Sequence, residues 1–188
     1  FDPERKTYGY QSGLTGKIER PQLKGMLDRR ARVCMPEHAE YAFMSTIEAL
    51  KKGAIDQEYL NQNEVGIIFG NDSSTPPVIE CVDIIRQKRD TLMVGSGSVF
   101  QSMNSSVTMN LSVIFKLKGI NFTLSGACAS GSHAIGMGYF LIRHGYQNMI
   151  ICGGSMTPRR VLPMCFALMA LSLRVAGLEW ALAKQKPK

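Results

Sequence analysis

Apolar residues recur along this chain with two periods, and the alternation between them lays out its elements. Tyr41, Met44, Ile47, Ala49 and Leu50 fall on one stripe of a helical repeat. Pro36 suits a first-turn position and Gly53 a stop, so the pattern predicts a helix over 36–52. Asp56 can cap a short turn running to Asn61. Val65-Gly66-Ile67-Ile68-Phe69 is a continuous apolar run bounded by Gly70-Asn71, as expected of a strand buried on both faces. A polar loop over 71–75 and a helix over 76–89 follow. Residues 94–106, rich in Ser, Gly and Met, read as loop until a helix starts near Asn104. That helix runs to Lys118 with Val107, Leu111, Ile114 and Phe115 inward, and closes at Gly119. Residues 120–124 predict the next strand and 129–144 a helix ended by Gly145. Residues 148–152 predict a third buried strand, with Gly153-Gly154 as a tight turn. Residues 158–171 read as helical, with Pro163 weakening the first turns. The first 20 residues are turn-rich and read as loop. Three apolar strands alternating with helices, without internal repeat, predict an α/β layered fold with a mainly parallel sheet.

Composition narrows the class. The chain has 188 residues, 45% apolar and 20% charged, which is a globular balance rather than a disordered one. That length suits one domain with a core that needs no disulfides. The apolar stretch from Val161 to Leu173 is broken by Pro163 and stops at Arg174. It falls short of the roughly 20 residues that span a bilayer, so no membrane span is expected. The chain starts at Phe1 without a secretory signal pattern, which predicts a cytoplasmic setting.

The net charge of +7 raises a nucleic-acid reading, and its distribution counters it. Through Ser155 there are 16 basic and 14 acidic residues, so the excess there is only +2. Beyond it, Arg159, Arg160, Arg174, Lys184, Lys186 and Lys188 face Glu179 alone. No basic run is interleaved with aromatics. Solvated surface charge is the expectation, and no nucleic-acid partner.

Cys34, Cys81, Cys128, Cys152 and Cys165 are an odd set without CxxC spacing, and His38, His133 and His144 complete no ligand pattern. No metal site is expected. Reduced thiols fit best. Four of the five read as small buried apolar residues, Cys152 most clearly because it lies in a strand pattern.

Cys128 differs. Leu124-Ser125-Gly126-Ala127-Cys128-Ala129-Ser130-Gly131 joins a strand to a helix, and the residues flanking Cys128 are all small. Such residues allow a sharp turn with close backbone approach. A Cys just before a helix N-terminus meets free N–H groups and the positive end of the dipole, which favour thiolate over thiol. The arrangement parallels the nucleophile elbow of hydrolases, and the turn offers a backbone N–H to a developing oxyanion. The same residues equally suit a Cys that merely packs in a crowded turn.

The run from Gly119 through Ile135 resembles the active-site signature of β-ketoacyl-acyl carrier protein synthases, condensing enzymes with the thiolase fold. In that family a Gly stands nine positions before the nucleophile, an apolar residue four before and a small residue one before; here these are Gly119, Leu124 and Ala127. Small residues then follow, here Ala129, Ser130 and Gly131. The Arg29-Arg30 helix start, the strand over 64–70, the helix over 104–119 and the Gly-Gly end of the strand over 149–154 support the resemblance. It runs from about Lys24 to Ser155, and the subtype is similar to the type I/II synthases rather than to the initiating synthases or thiolases.

The resemblance implies that Cys128 takes an acyl group from carrier-protein phosphopantetheine, its own N–H forming half of the oxyanion hole. A malonyl thioester then loses CO₂ and its enolate attacks the acyl-enzyme. Acyl carrier protein is the implied partner, with no resident cofactor, and the family forms dimers, so a homodimer or a heterodimer with a synthase-like chain is expected. The stretch 99–108 would approach the partner's acyl pocket, or else fill the core. Two His and a Lys serve the second step in motifs of the family's second half. None is found here. His133 is too near Cys128 in sequence, and His38, His133 and His144 read as structural. Phe166 to Ser172 resembles a family segment with spacing one residue short, and the resemblance ends there. Residues 1–172 are therefore expected to form about one of the fold's two halves and 173–188 a non-matching basic tail, from a truncation or frameshift. Condensation by such a chain alone is not expected. A non-catalytic interaction module that keeps the fold is the alternative.

Overall fold

The computed structural model describes residues 3–7, 14 and 18–156. Helix α1, Pro3–Thr7, lies in a stretch expected to be loop, with Pro3 at the position where a missing N–H costs nothing. Helix α2, Arg29–Val33, starts on Asp28, whose Oδ1 accepts the Ala31 N–H at 2.8 Å. Helix α3, Glu37–Lys52, carries Glu37 and Glu40 in its first turn and Lys51 and Lys52 in its last, each complementing the dipole. Asp56 caps α4, Gln57–Gln62, by accepting the Tyr59 N–H at 2.8 Å.

Strand β1, Val65–Gly70, is buried at every position, as its unbroken apolar run required. Helix α5, Thr75–Lys88, follows, then a 3₁₀ turn over Thr91–Met93, α6, Ser96–Ser102, and α7, Ser106–Phe115. Strand β2, Asn121–Leu124, leads through a 3₁₀ turn, Ala127–Ala129, into α8, Ser130–Arg143, and the described chain closes with β3, Met149–Gly154. The sheet order is β2-β1-β3, all parallel, with Ile67 opposite both Asn121 and Ile151.

Strand alternation divides β1 between two faces. Val65, Ile67 and Phe69 enter a cluster with Ala39 and Phe43 of α3 and Val107, Leu111 and Phe115 of α7. The rings of Phe43 and Phe115 stack there at 5.7 Å. Ile68 faces the other way, toward Ala134 of α8 and Ile150 and Cys152 of β3. The result is a helix–sheet–helix sandwich. Gly70 sets its closest approach: a Cβ there would collide with the Ser130 backbone and the Gly131 nitrogen, so α8 starts directly on the end of β1.

Three further expectations are corrected. Residues 96–102 are helical, because Gly97 is pressed against Val33 of α2 and that tertiary contact outweighs a Ser- and Gly-rich composition. The helix expected over 104–118 ends at Phe115, where Lys116 turns left-handed (φ 54°). Gly119 N–H must reach the Val65 carbonyl at 3.0 Å, and joining the sheet wins over extending the helix. Gly153 and Gly154 continue β3 rather than turning, since the Phe69 ring lies where a Gly153 side chain would stand. The expected helix over 158–171, Cys165, the Phe166 to Ser172 segment and the tail over 173–188 lie outside the described residues.

Candidate active site

The loops after β1 and β2 meet at the carboxyl end of the parallel sheet, the edge where open α/β sheets gather ligands. Cys128 is exposed there, in the middle of the 3₁₀ turn, two residues before the first residue of α8. The preceding Ala127 is left-handed (φ 49°). Ala54, Arg89 and Lys116 share that conformation, but each follows a helix, whereas Ala127 precedes one. Left-handed backbone costs a non-glycine residue about 1–2 kcal/mol, and it persists where neighbours hold it in place.

The neighbours here are three side-chain hydrogen-bonding groups. The Gly126 N–H donates to Ser130 Oγ at 2.9 Å, and the Ser130 hydroxyl donates to the Ala127 carbonyl at 2.7 Å. The Ala127 N–H donates to Asp72 Oδ1 at 3.0 Å, and the Ser125 hydroxyl donates to the same oxygen at 2.8 Å. These bonds leave the Cys128 N–H out.

Beneath the turn the 71–74 loop is anchored in the core. Asn71 N–H donates to the Leu124 carbonyl at 3.0 Å, and its side-chain amide donates to the Asn104 carbonyl at 2.8 Å and Ser74 Oγ at 3.1 Å. His38 Nε2 lies 3.3 Å from that amide and 3.1 Å from Ser106 Oγ. His38 is fully buried, which pushes its pKa down to about 4 and keeps the ring neutral at physiological pH. Ser155 Oγ donates to the His38 carbonyl at 2.6 Å.

The structure disperses the other candidates. His133 is exposed on α8 with its ring against Gly126, where a Cβ would come within 2.6 Å of Nδ1. His144 is exposed at the far end of α8, its Nδ1 2.8 Å from the Phe140 carbonyl. Cys152 is buried, and burial pushes its thiol up to about 12. Cys34 and Cys81 are only half-buried, so the expectation of buried thiols is corrected for them: α2 and α5 lie at the periphery. In the 99–108 stretch the core-filler reading holds for Val107 and fails for Val99, Phe100 and Met103, which are exposed. Sequence reasoning missed Asp72 and Asn71, and gave Ser130 no role beyond its size. Their partners are fixed by the meeting of two loops, which no local spacing encodes.

This layered sheet, with a Cys turn at its carboxyl edge, is the thiolase-like fold of ketosynthases. A β-ketoacyl synthase from Burkholderia phymatum superposes with a TM-score of 0.62 at 27% identity, covering 73% of this chain and 33% of its own. A ketosynthase of a type II polyketide synthase, solved with its acyl-carrier protein, shares the fold with a TM-score of 0.67 at 23% identity, covering 74% of this chain and 40% of its own. Residues 7–172 match the β-ketoacyl synthase, N-terminal domain, and the chain belongs to that family. The 3-oxoacyl-acyl-carrier-protein synthase 1 of Buchnera aphidicola subsp. Baizongia pistaciae (strain Bp) is 32% identical over 156 residues. That match covers 82% of this chain and 38% of the relative, so the chain spans well under half of the relative's length.

Proposed function

We propose that this chain supplies the acyl-accepting nucleophile of a decarboxylative Claisen condensation in fatty-acid or polyketide elongation. The observation that carries the reading is Cys128: exposed, in a strained turn at the start of α8, with its N–H outside the bonds that hold that turn. Cys128 Sγ attacks the carbonyl carbon of an acyl thioester on carrier-protein phosphopantetheine. The new C–S bond forms, the C–S bond to the pantetheine sulfur breaks, and that sulfur leaves with the proton Cys128 gave up. The Cys128 N–H receives the oxyanion as it develops. A malonyl thioester then loses CO₂, its enolate carbon bonds to the acyl carbon, and Cys128 departs as thiolate. The family's His pair for that second step has no counterpart in the chain, so by itself it takes the acyl group without releasing CO₂ from malonyl-carrier protein.

Acyl carrier protein is the partner on this reading, as it is for the polyketide ketosynthase above. The free state of Cys34, Cys81, Cys128 and Cys152 fits a reducing, cytoplasmic setting. Among the described residues no helix is long and apolar enough to cross a membrane. A second reading, a non-catalytic partner in a homodimer or heterodimer, is favoured by the exposed Val78, Ile79, Val82 and Ile85 along α5. Intact-mass analysis after incubation with an acyl-acyl carrier protein separates the two. An acyl adduct that Cys128→Ala lacks supports catalysis; no adduct, or one that Cys128→Ala retains, refutes it.

A further inference from the structure

We propose that Asp72 is a positioning residue for Cys128, holding the turn in the geometry that acylation needs. The inference rests on the reading of Cys128 as acyl acceptor and adds a residue to it. A single carboxylate oxygen of Asp72 accepts from Ser125 Oγ at 2.8 Å and from the Ala127 N–H at 3.0 Å. These donors lie three residues and one residue before Cys128, so Asp72 spans the turn from the other loop. Ala127 is the residue whose backbone is left-handed (φ 49°), and its N–H is the group that Asp72 binds.

The clamp is itself fixed from behind. Asp72 follows Asn71, a buried residue whose amide is tied to the buried Ser74 and His38 and to the Asn104 carbonyl. The Asp72 carbonyl in turn accepts from Asn104 Nδ2 at 3.4 Å. A charged acceptor on a core-anchored loop thus grips the one turn whose misplacement moves both the nucleophile and its N–H. Because the Cys128 N–H lies outside the clamp, Asp72 steadies the oxyanion donor without occupying it. Nothing about Asp72 demands charge for this role; it demands an oxygen acceptor at the right reach, and that separates it from an electrostatic role.

The test compares the full chain with Asp72→Ala, Asp72→Asn and Cys128→Ala in two readouts. One is the rate of adduct formation from octanoyl-N-acetylcysteamine, followed by intact mass. The other is hydrogen exchange at the Ala127 amide. Asp72→Ala should acylate at least about tenfold more slowly, since displacing a reacting group by about an ångström costs that much or more. Its Ala127 amide should exchange faster. Asp72→Asn, which keeps the acceptor oxygen, should stay within about threefold of wild type in both readouts. Acylation by Asp72→Ala at the wild-type rate overturns the proposal, as does an equal loss in Asp72→Ala and Asp72→Asn. Absence of any adduct in wild type defeats the acyl-acceptor reading instead; the clamp is then judged on exchange, and unchanged exchange in Asp72→Ala overturns it. Should Asp72→Ala fail to fold, Asp72→Leu keeps the side chain's size and removes the acceptor oxygens, with the same outcomes.

Discussion

On one face of the sheet, α3 and α7 close over Val65, Ile67 and Phe69 with Phe43, Val107 and Leu111, and water is shut out. On the other, α8 covers Ile68, Ile150 and Cys152 with Ala134 and the partly buried Ile135, Leu141 and Ile142, while Met137, Tyr139 and Phe140 remain exposed. One strand, β1, supplies both faces. Side-chain burial holds both faces, with the larger cluster on the first; the second adds backbone approach at Gly70 and hydrogen bonds around the α8 start. Stability therefore resides mainly in the α3/α7 face and chemistry in the α8 face. Changes to one should leave the other's readout disproportionately intact.

Phe69→Ala offers the largest test. The ring is 1% exposed, and truncating such a group removes about 3–5 kcal/mol. Urea unfolding should show that loss, and a loss under about 1 kcal/mol would break the comparison. Next is pH. His38 has a folded pKa of about 4, below its usual 6.5, so between those values the unfolded chain binds the extra proton. Stability from this group is complete above pH 6.5 and falls as pH drops toward 4, by about 3 kcal/mol across the window. Unfolding of His38→Gln measured at pH 7 and pH 4.5 should differ much less than that of wild type; an equal pH dependence would refute the assignment. On the α8 face, Gly70→Ala forces a Cβ into the Ser130 backbone. It should cost about 1–3 kcal/mol and, by displacing α8, slow Cys128 acylation at least about tenfold. Gly136→Ala is its control: nothing lies within 4 Å of the new Cβ, so helix propensity should raise stability by about 0.5–1 kcal/mol without changing acylation. Cys128→Ala should move unfolding by no more than about 0.5 kcal/mol, since the residue is exposed.

The same contrast explains what could be read in the sequence. Strand β1 and the inward stripe of α7 were legible because burial writes itself as apolar periodicity, and the small residues around Cys128 because a tight turn admits no others. The elements missed owe their form to distant neighbours. Helix α6 rests on Gly97 against Val33, and Gly153 stays in β3 under the Phe69 ring. Asp72 reaches Ala127 across 55 residues of sequence, so no local pattern marks it. Spacing reads His133 as too near Cys128 to belong to the family's His pair, and its seat against Gly126 needs the fold. Buried His38 is apparent only once three polar partners converge on its ring.

The most direct test of the account is the relative alkylation rate of the chain's thiols by iodoacetamide at neutral pH, read by peptide mapping. Cys128, presented by the clamped turn at the start of α8, should label at least about tenfold faster than Cys34 or Cys81. Cys152, buried with its thiol pushed up to about 12, should stay unlabelled in the native chain. Labelling of Cys128 no faster than of Cys34 or Cys81 would contradict the claim that this turn is built to present a nucleophile.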